Sequence, residues 1–228
     1  MARKAIVDIE IEGNPLSPLS GLTLHQRLGG HHHFEVRCPL REQERTLPGL
    51  CGQYLGKEIK MEFRSGKGDR GAPTFFRGVV TSVRIAKEHT GQNQVLIAGH
   101  SPTCTLEDGP HCQSFLEKKL ADIVQATLDR YGLQAQVKPR HTARIPYFVQ
   151  YQEDAFHFLH RLAARYGEWF YYDGATLYFG APEAADPLEV KFGRDVYQLS
   201  LSLQAAPTHF RLLGYDSLGH QFPESPSS

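Results

Sequence analysis

Period-two alternation constrains this chain more than any other feature. Val7, Ile9 and Ile11 alternate with Asp8, Glu10 and Glu12, the pattern of a strand with one face buried and the other in water. Phe34, Val36 and Cys38 repeat it within residues 33–38, and Ile59, Met61 and Phe63 within residues 57–64. A further strand is expected over residues 22–28, after the breaks at Asn14-Pro15 and Ser17-Pro18 and before the turn at Gly29-Gly30. Longer strands are expected over 75–87 and 94–100, joined through 89–93, while the polar, glycine-rich stretch 65–73 reads as a loop. About six strands separated by turn signals in about 100 residues imply an antiparallel barrel or sandwich. Closing such a sheet would also protect its edges.

The texture changes near residue 100. Ser114-Phe-Leu-Glu117 has the form of a capping box, and Leu116, Leu120, Ile123, Val124 and Leu128 then recur at helical spacing toward Gly132. Residues 133–138 and 145–152 read as extended. A second helix is expected from Glu153-Asp154, carboxylates suited to a positive helix N-terminus. It carries Ala155, Phe158, Leu159, Leu162, Ala163 and Tyr166 on one stripe and ends at Gly167. Asp173-Gly174, set between aromatic runs, signals a hairpin with a type I′ turn. Alternation returns over 196–203 and 208–215, and residues 222–228 read as a tail with nothing to order it.

The chain offers little catalytic chemistry. On a strand, His31 and His33 of the triplet His31-His32-His33 would share a face, but no third ligand follows nearby, so a polar strand start is the reading adopted. His157 and His160 stand three apart on a helix with no H-E-x-x-H and no acidic partner in register. There is no G-x-S-x-G elbow, and Ser65-Gly-Lys-Gly-Asp-Arg-Gly71 lacks P-loop spacing. The aromatics Trp169-Phe-Tyr-Tyr172 could stack on bases or sugars, but hairpin strands facing a core use the same residues. Cys38, Cys51, Cys104 and Cys112 match neither zinc clusters nor a disulfide framework and read as free thiols in a reducing compartment. The 25 basic residues balance 25 acidic ones, which gives no electrostatic case for nucleic acid or an anionic membrane. No apolar run reaches the roughly 20 residues of a spanning helix, and the N-terminus lacks a signal-peptide core.

The segment from Gln150 to Gly167 is more specific. Gln150, Tyr151, Glu153, Phe158, Leu159, Arg161, Leu162 and Gly167, with Trp169 opening an aromatic strand, fit without a gap the pattern Q-Y-x-E-[ST]-D-x-x-F-L-x-R-L-x-E-x-x-G. It resembles the signature of VgrG-type spike proteins of type VI secretion and of phage late-control (gpD-like) tail hubs. Asp154, Ala155 and Ala164 depart from the pattern, and the first two bear on how the helix start is hydrogen-bonded. Phe76-Arg-Gly78, His100-Ser-Pro102 and Leu120-Ala-Asp122 also follow the family's order, so the resemblance spans residues 1–215.

The resemblance implies an α+β, β-rich fold. Residues 1–100 would form a first tail-tube-like β-barrel and 101–181 an α/β insertion domain with two helices and a hairpin. Residues 182–228 would begin a second barrel or return to the first, with a flexible C-terminal tail. It implies a structural hub of a contractile injection machine, not an enzyme. Such a hub forms a homotrimeric ring that joins an Hcp-like tail tube to spike, tip and baseplate proteins. No cofactor, metal, nucleic acid or stable membrane anchor is expected. The protein would sit in the bacterial cytoplasm before assembly and be exported or injected with the machine. The alternatives are an effector or cell-wall hydrolase domain carried by such a machine, or a sugar- or metal-binding module.

Overall fold

The computed structural model describes residues 5–40, 46–65, 73–87 and 93–182, followed by 187, 189–193, 196, 198–203, 205, 211–216 and 219–226. The expected loop at 65–73 and the link at 89–93 lie mostly outside these residues. The chain forms two units, Met1–Glu183 and Ala184–Ser228.

In the first unit, β1 (Ala5–Ile11), β2 (Asn14–Pro15), β3 (Gly21–His25), β4 (His33–Pro39), β5 (Glu58–Ser65), β6 (Thr74–Lys87) and β7 (Asn93–His100) make one antiparallel sheet. Its order is β2-β1-β5-β6-β7-β4-β3. The alternation sorts side chains as expected. Ile9, Ile11, Phe34, Val36, Ile59, Met61, Phe76, Val80, Val95 and Ile97 are buried on the inner face. The sheet curls into an open half-barrel: among the described residues β2 and β3 end the ladder without pairing to each other. A two-residue β2 containing Pro15 has too few donors to close it. A helix that the sequence pattern did not announce, α1 (Leu47–Tyr54), packs against β6 and buries Leu50 and Tyr54. Pro48, Gly49 and Gly52 hide it from any propensity argument.

The remainder of this unit contains a 3-10 turn at Pro102–Glu107, then β8 (His111–Lys119), α2 (Leu120–Leu128), β9 (Ala135–Lys138), β10 (Arg144–Glu153), α3 (Ala155–Tyr166), β11 (Trp169–Tyr172) and β12 (Leu177–Gly180). No helix starts at Ser114. Residues 111–119 are a strand paired antiparallel to β10, with Phe115 opposite Phe148. Phe115 is buried and stacks on Phe158 at 5.9 Å, whereas Leu116, which helical spacing would bury, is 64% exposed. Strand pairing that buries an aromatic pair outweighs a local cap. The helix cap lies five residues later, at Lys119, where the Asp122 carboxylate accepts from the Lys119 amide at 3.3 Å. The hairpin of β11 and β12 forms as expected, but its turn is not type I′. Four residues, 173–176, separate the last pair, Tyr172 and Leu177, and Asp173 Oδ1 accepts from the amides of Ala175 and Thr176. β12 also pairs in parallel with β9.

The second unit is sparse. β13 (Arg211–Leu213) pairs with β14 (Glu224–Pro226), and Tyr215 lies 5.0 Å from Phe222 across the hairpin. The C-terminal segment expected as a tail is therefore paired as far as Pro226. The strand expected over 196–203 is absent among its described residues, apart from a bridge between Val196 and Phe192. Leu199, Leu201 and Leu203 alternate as a strand would, yet all are exposed. Of the strand expected over 208–215, residues 208–210 lie outside the described residues.

Candidate functional site

The family-like segment forms a clamp between β10 and α3. Gln150 is buried near the end of β10, and its Nε2 donates to the Glu153 carbonyl at 2.9 Å across a bulge that puts Gln152 at φ 48. Asp154 is the N-cap of α3, its Oδ1 accepting from the His157 amide at 2.8 Å. Aspartate is as good a cap as the family's Ser or Thr, each worth about 1 kcal/mol, so this departure preserves the helix start. Arg161 turns back from the helix: Nε donates to Glu153 Oε2 at 3.1 Å, and Nη2 donates to the Val149 carbonyl at 2.7 Å and to Glu153 Oε1. Its guanidinium also lies over the Phe148 and Phe158 rings, 4.9 and 5.5 Å from their centroids. Phe158, Leu159 and Leu162 are fully buried beneath it. Gly167 ends the helix in the left-handed region at φ 64, donating to the Ala163 carbonyl. Tyr151 and Trp169 do not join the clamp, being 67% and 45% exposed.

One participant escaped the sequence reading. The Glu168 side chain is buried and accepts from the amides of Arg140 at 2.7 Å and His141 at 3.1 Å. Arg140 answers by donating from Nη2 to the Gly167 carbonyl. A glutamate next to a helix-terminal glycine carries no signal by itself; its partners arrive from a loop 27 or 28 residues upstream.

The histidine triplet lies where the half-barrel meets the α/β part. His31 precedes β4, with Nδ1 2.8 Å from Thr103 Oγ1 and Nε2 3.2 Å from Glu107, and it stacks 4.0 Å from Phe156 of α3. His32 is buried against Phe76 and Tyr172, and burial holds its pKa below the ordinary value. The His32 amide donates to Ser101 Oγ at 3.0 Å, and the Ser101 amide donates back to the His32 carbonyl at 2.9 Å. His33 is the first residue of β4 and faces across strands. Its ring lies 6.5 Å from His25 and 5.2 Å from His100, and Nδ1 of His100 lies 3.3 Å from Thr81 Oγ1. His31 and His33 thus meet different partners. The hairpin completes the junction: the Arg77 amide donates to the Gly174 carbonyl at 2.6 Å, and the Tyr172 hydroxyl donates to the Arg77 carbonyl at 3.3 Å.

The pair on α3 also separates. His157 does have an acidic partner in register, contrary to the sequence reading: Asp154 holds its Nδ1 at 2.8 Å and raises its pKa. His160 packs between Phe156 and Phe170, and burial lowers its pKa. Trp169-Phe-Tyr-Tyr172 divides by strand alternation, Phe170 and Tyr172 buried and Trp169 outward. Cys38, Cys51, Cys104 and Cys112 form no disulfide, Cys38 being buried and Cys112 exposed. Among the described residues, no group of three or more histidine, cysteine or carboxylate side chains could hold a metal ion. No helix of the described residues is long and apolar enough to cross a membrane.

This geometry joins a half-barrel to an α/β unit through buried polar contacts. A family model described as phage tail baseplate hub (GPD) matches residues 25–215. Among solved structures, the chain is similar to the 43 kDa tail protein of prophage MuSo2 from Shewanella oneidensis, with TM-score 0.62 and 13% identity over 78% of this chain and 53% of that one. An Escherichia coli component of the type VI secretion system, described as structurally similar to bacteriophage tail proteins, gives 0.58 and 15% over 92% and 56%. The Francisella PdpA–VgrG complex gives 0.52 and 13% over 80% and 32%. This chain thus spans roughly half or less of the length of these structures. Among curated proteins none matches by sequence.

Proposed function

Because the chain belongs to the phage tail baseplate hub family, we propose that it is the hub of a contractile injection machine and acts mechanically. Three copies form a ring that joins an Hcp-like inner tube to the spike, with tip and baseplate proteins around it. The protein assembles in the cytoplasm and leaves the cell with the machine, exported or injected when the sheath contracts. The carrying observation is that the family match runs across both the half-barrel and the α/β part. On this reading 1–100 is the first tail-tube-like barrel, 101–181 the insertion domain, and 182–228 the start of a second barrel. The exposed, alternating Leu199, Leu201 and Leu203 support that last assignment, because a strand of this pattern is stable only when paired and covered. The signature residues have structural roles: all except Tyr151 and Trp169 are spent on holding α3 against β10.

Native mass spectrometry of the chain co-expressed with the machine's tube and spike proteins tests the proposal. An assembly containing three copies of this chain bound to both is expected. A chain that stays apart from tube and spike at micromolar concentration overturns it.

A further inference from the structure

The half-barrel leaves a gap where its ladder stays open, and a cavity of about 270 Å³ draws on both sides of it. Ile11 of β1 lines it from one side, and Cys38 of β4 with Val95 and Ile97 of β7 from the other. All four are buried on the inner face of the sheet. The rest of the lining is more polar and more open: Asn14 and Gln53 are exposed, and Lys57 is half-buried. Every other lysine among the described residues is exposed, and Lys57 pairs with no carboxylate among them. We propose that this cavity binds a medium-chain aliphatic carboxylate, its tail between the two sides of the half-barrel and its head at Lys57. The inference is independent of the hub reading.

Size, polarity and charge select this ligand. Small β-barrels are wide enough inside to hold one small molecule. An engineered apolar cavity of roughly 150 Å³ holds benzene. On that scale a cavity of about 270 Å³ takes roughly eleven heavy atoms, the size of octanoate or nonanoate. The buried aliphatic lining rewards a hydrocarbon chain, each buried methylene being worth up to about a fourfold gain in affinity. The polar part of the lining disfavours a guest that is apolar throughout. A half-buried ammonium with no partner favours an anionic head, which it binds through a charge-assisted hydrogen bond. Glu12, the carboxylate that follows β1, accepts from the Glu58 amide at 3.3 Å. Beside Lys57, Gln53 Nε2 donates to the Tyr54 hydroxyl at 3.0 Å and has a second N–H for the carboxylate. A bound chain would cover apolar side chains that the open ladder leaves beside solvent.

Methyl NMR of the isoleucine-labelled chain tests the site, with hexanoate, octanoate and octanol titrated at neutral pH below micelle-forming concentrations. Octanoate should saturate one site per chain with sub-millimolar affinity. It should shift the Ile11 and Ile97 methyls and leave those of Ile123 in α2 and Ile145 in β10 unmoved. Hexanoate, two methylenes shorter, should bind up to about fifteenfold more weakly. Octanol, which carries no charge, should bind about tenfold more weakly than octanoate. Lys57→Met should erase the preference for octanoate while the octanol shifts persist, which separates a lost head-group contact from a folding defect. The proposal is overturned if octanoate does not saturate by millimolar concentration or if its shifts fall on the α/β part. It is equally overturned if octanol matches octanoate on the wild-type chain, or if Lys57→Met keeps the preference.

Discussion

Arg161 reaches back to Glu153, eight residues earlier, and binds the strand that carries it as well as the helix. The carboxylate is 20% exposed and the guanidinium 44%, so the ion pair alone is worth less than about 1 kcal/mol. The remaining value lies in the planar fork, which serves Glu153, the Val149 carbonyl and two aromatic faces together. Arg161→Lys keeps the charge and loses the fork, and should cost about 1–2 kcal/mol, more than the pair is worth. Urea unfolding of the two proteins checks this; equal midpoints would show that charge is all that matters.

Phe115 and Leu116 separate strand from helix. Phe115→Ala should destabilise by about 3–5 kcal/mol, because a buried ring stacked on Phe158 is lost. Leu116→Ser should stay within about 0.5 kcal/mol, because that side chain faces solvent. Thermal denaturation of both variants reads the contrast directly, and a helix starting at Ser114 would invert it.

Gly174 tolerates no side chain. At φ 112, an added Cβ would meet the Phe75 carbonyl oxygen at 2.7 Å and disturb the bond from the Arg77 amide. Gly174→Ala should cost about 2 kcal/mol or more. Gly167→Ala, at φ 64 with the added Cβ meeting only Arg140 Nη2 at 4.0 Å, should cost only the left-handed penalty of about 1–2 kcal/mol. Paired melting curves rank the two.

The histidines of α3 give opposite responses to pH. Asp154 raises the folded pKa of His157, so the stability it adds is fully present below the unfolded value of about 6.5 and is lost as pH rises through the higher folded value. His157→Ala should therefore lower the urea midpoint most at about pH 5.5 and little at about pH 9. The histidine's own proton titration by NMR should show the raised value.

Burial lowers the folded pKa of His160, so the unfolded chain takes up a proton at about pH 6.5 while the folded chain does not. Stability should fall as pH drops below about 6.5, until the lower folded value is reached. His160→Leu should flatten this acid limb but not abolish it, because buried His32 contributes in the same sense. A slope unchanged by the substitution would place the titration elsewhere.

How far the sequence could be read depended on where each residue's partners lie. The barrel strands were legible because Ile9, Val36 and Met61 each announce a buried face to their own neighbours in the chain. The stripe Phe158, Leu159 and Leu162 did the same for α3. At Ser114 the local code gave the wrong answer, since the deciding partner, Phe148, comes from another strand. The histidines too depend on partners that are distant in the chain. Their spacing along the chain pointed to His31 with His33, but pleating and register pair His33 with His25 and His100 instead. Glu168 was invisible because its partners are the amides of a distant loop.

The strand order sets a timetable for the nascent chain. β4 lies between β3 and β7, so when residues 33–39 emerge only the β3 side of their ladder can form. The other side waits for residues 93–100, several seconds later at about 5–20 residues per second. During that interval Phe34 and Val36 have a hairpin for cover and an open edge beside them. Contacts of this sequence separation also slow refolding. Recovery of soluble protein should therefore depend more on how long the chain spends half-made than on its final stability.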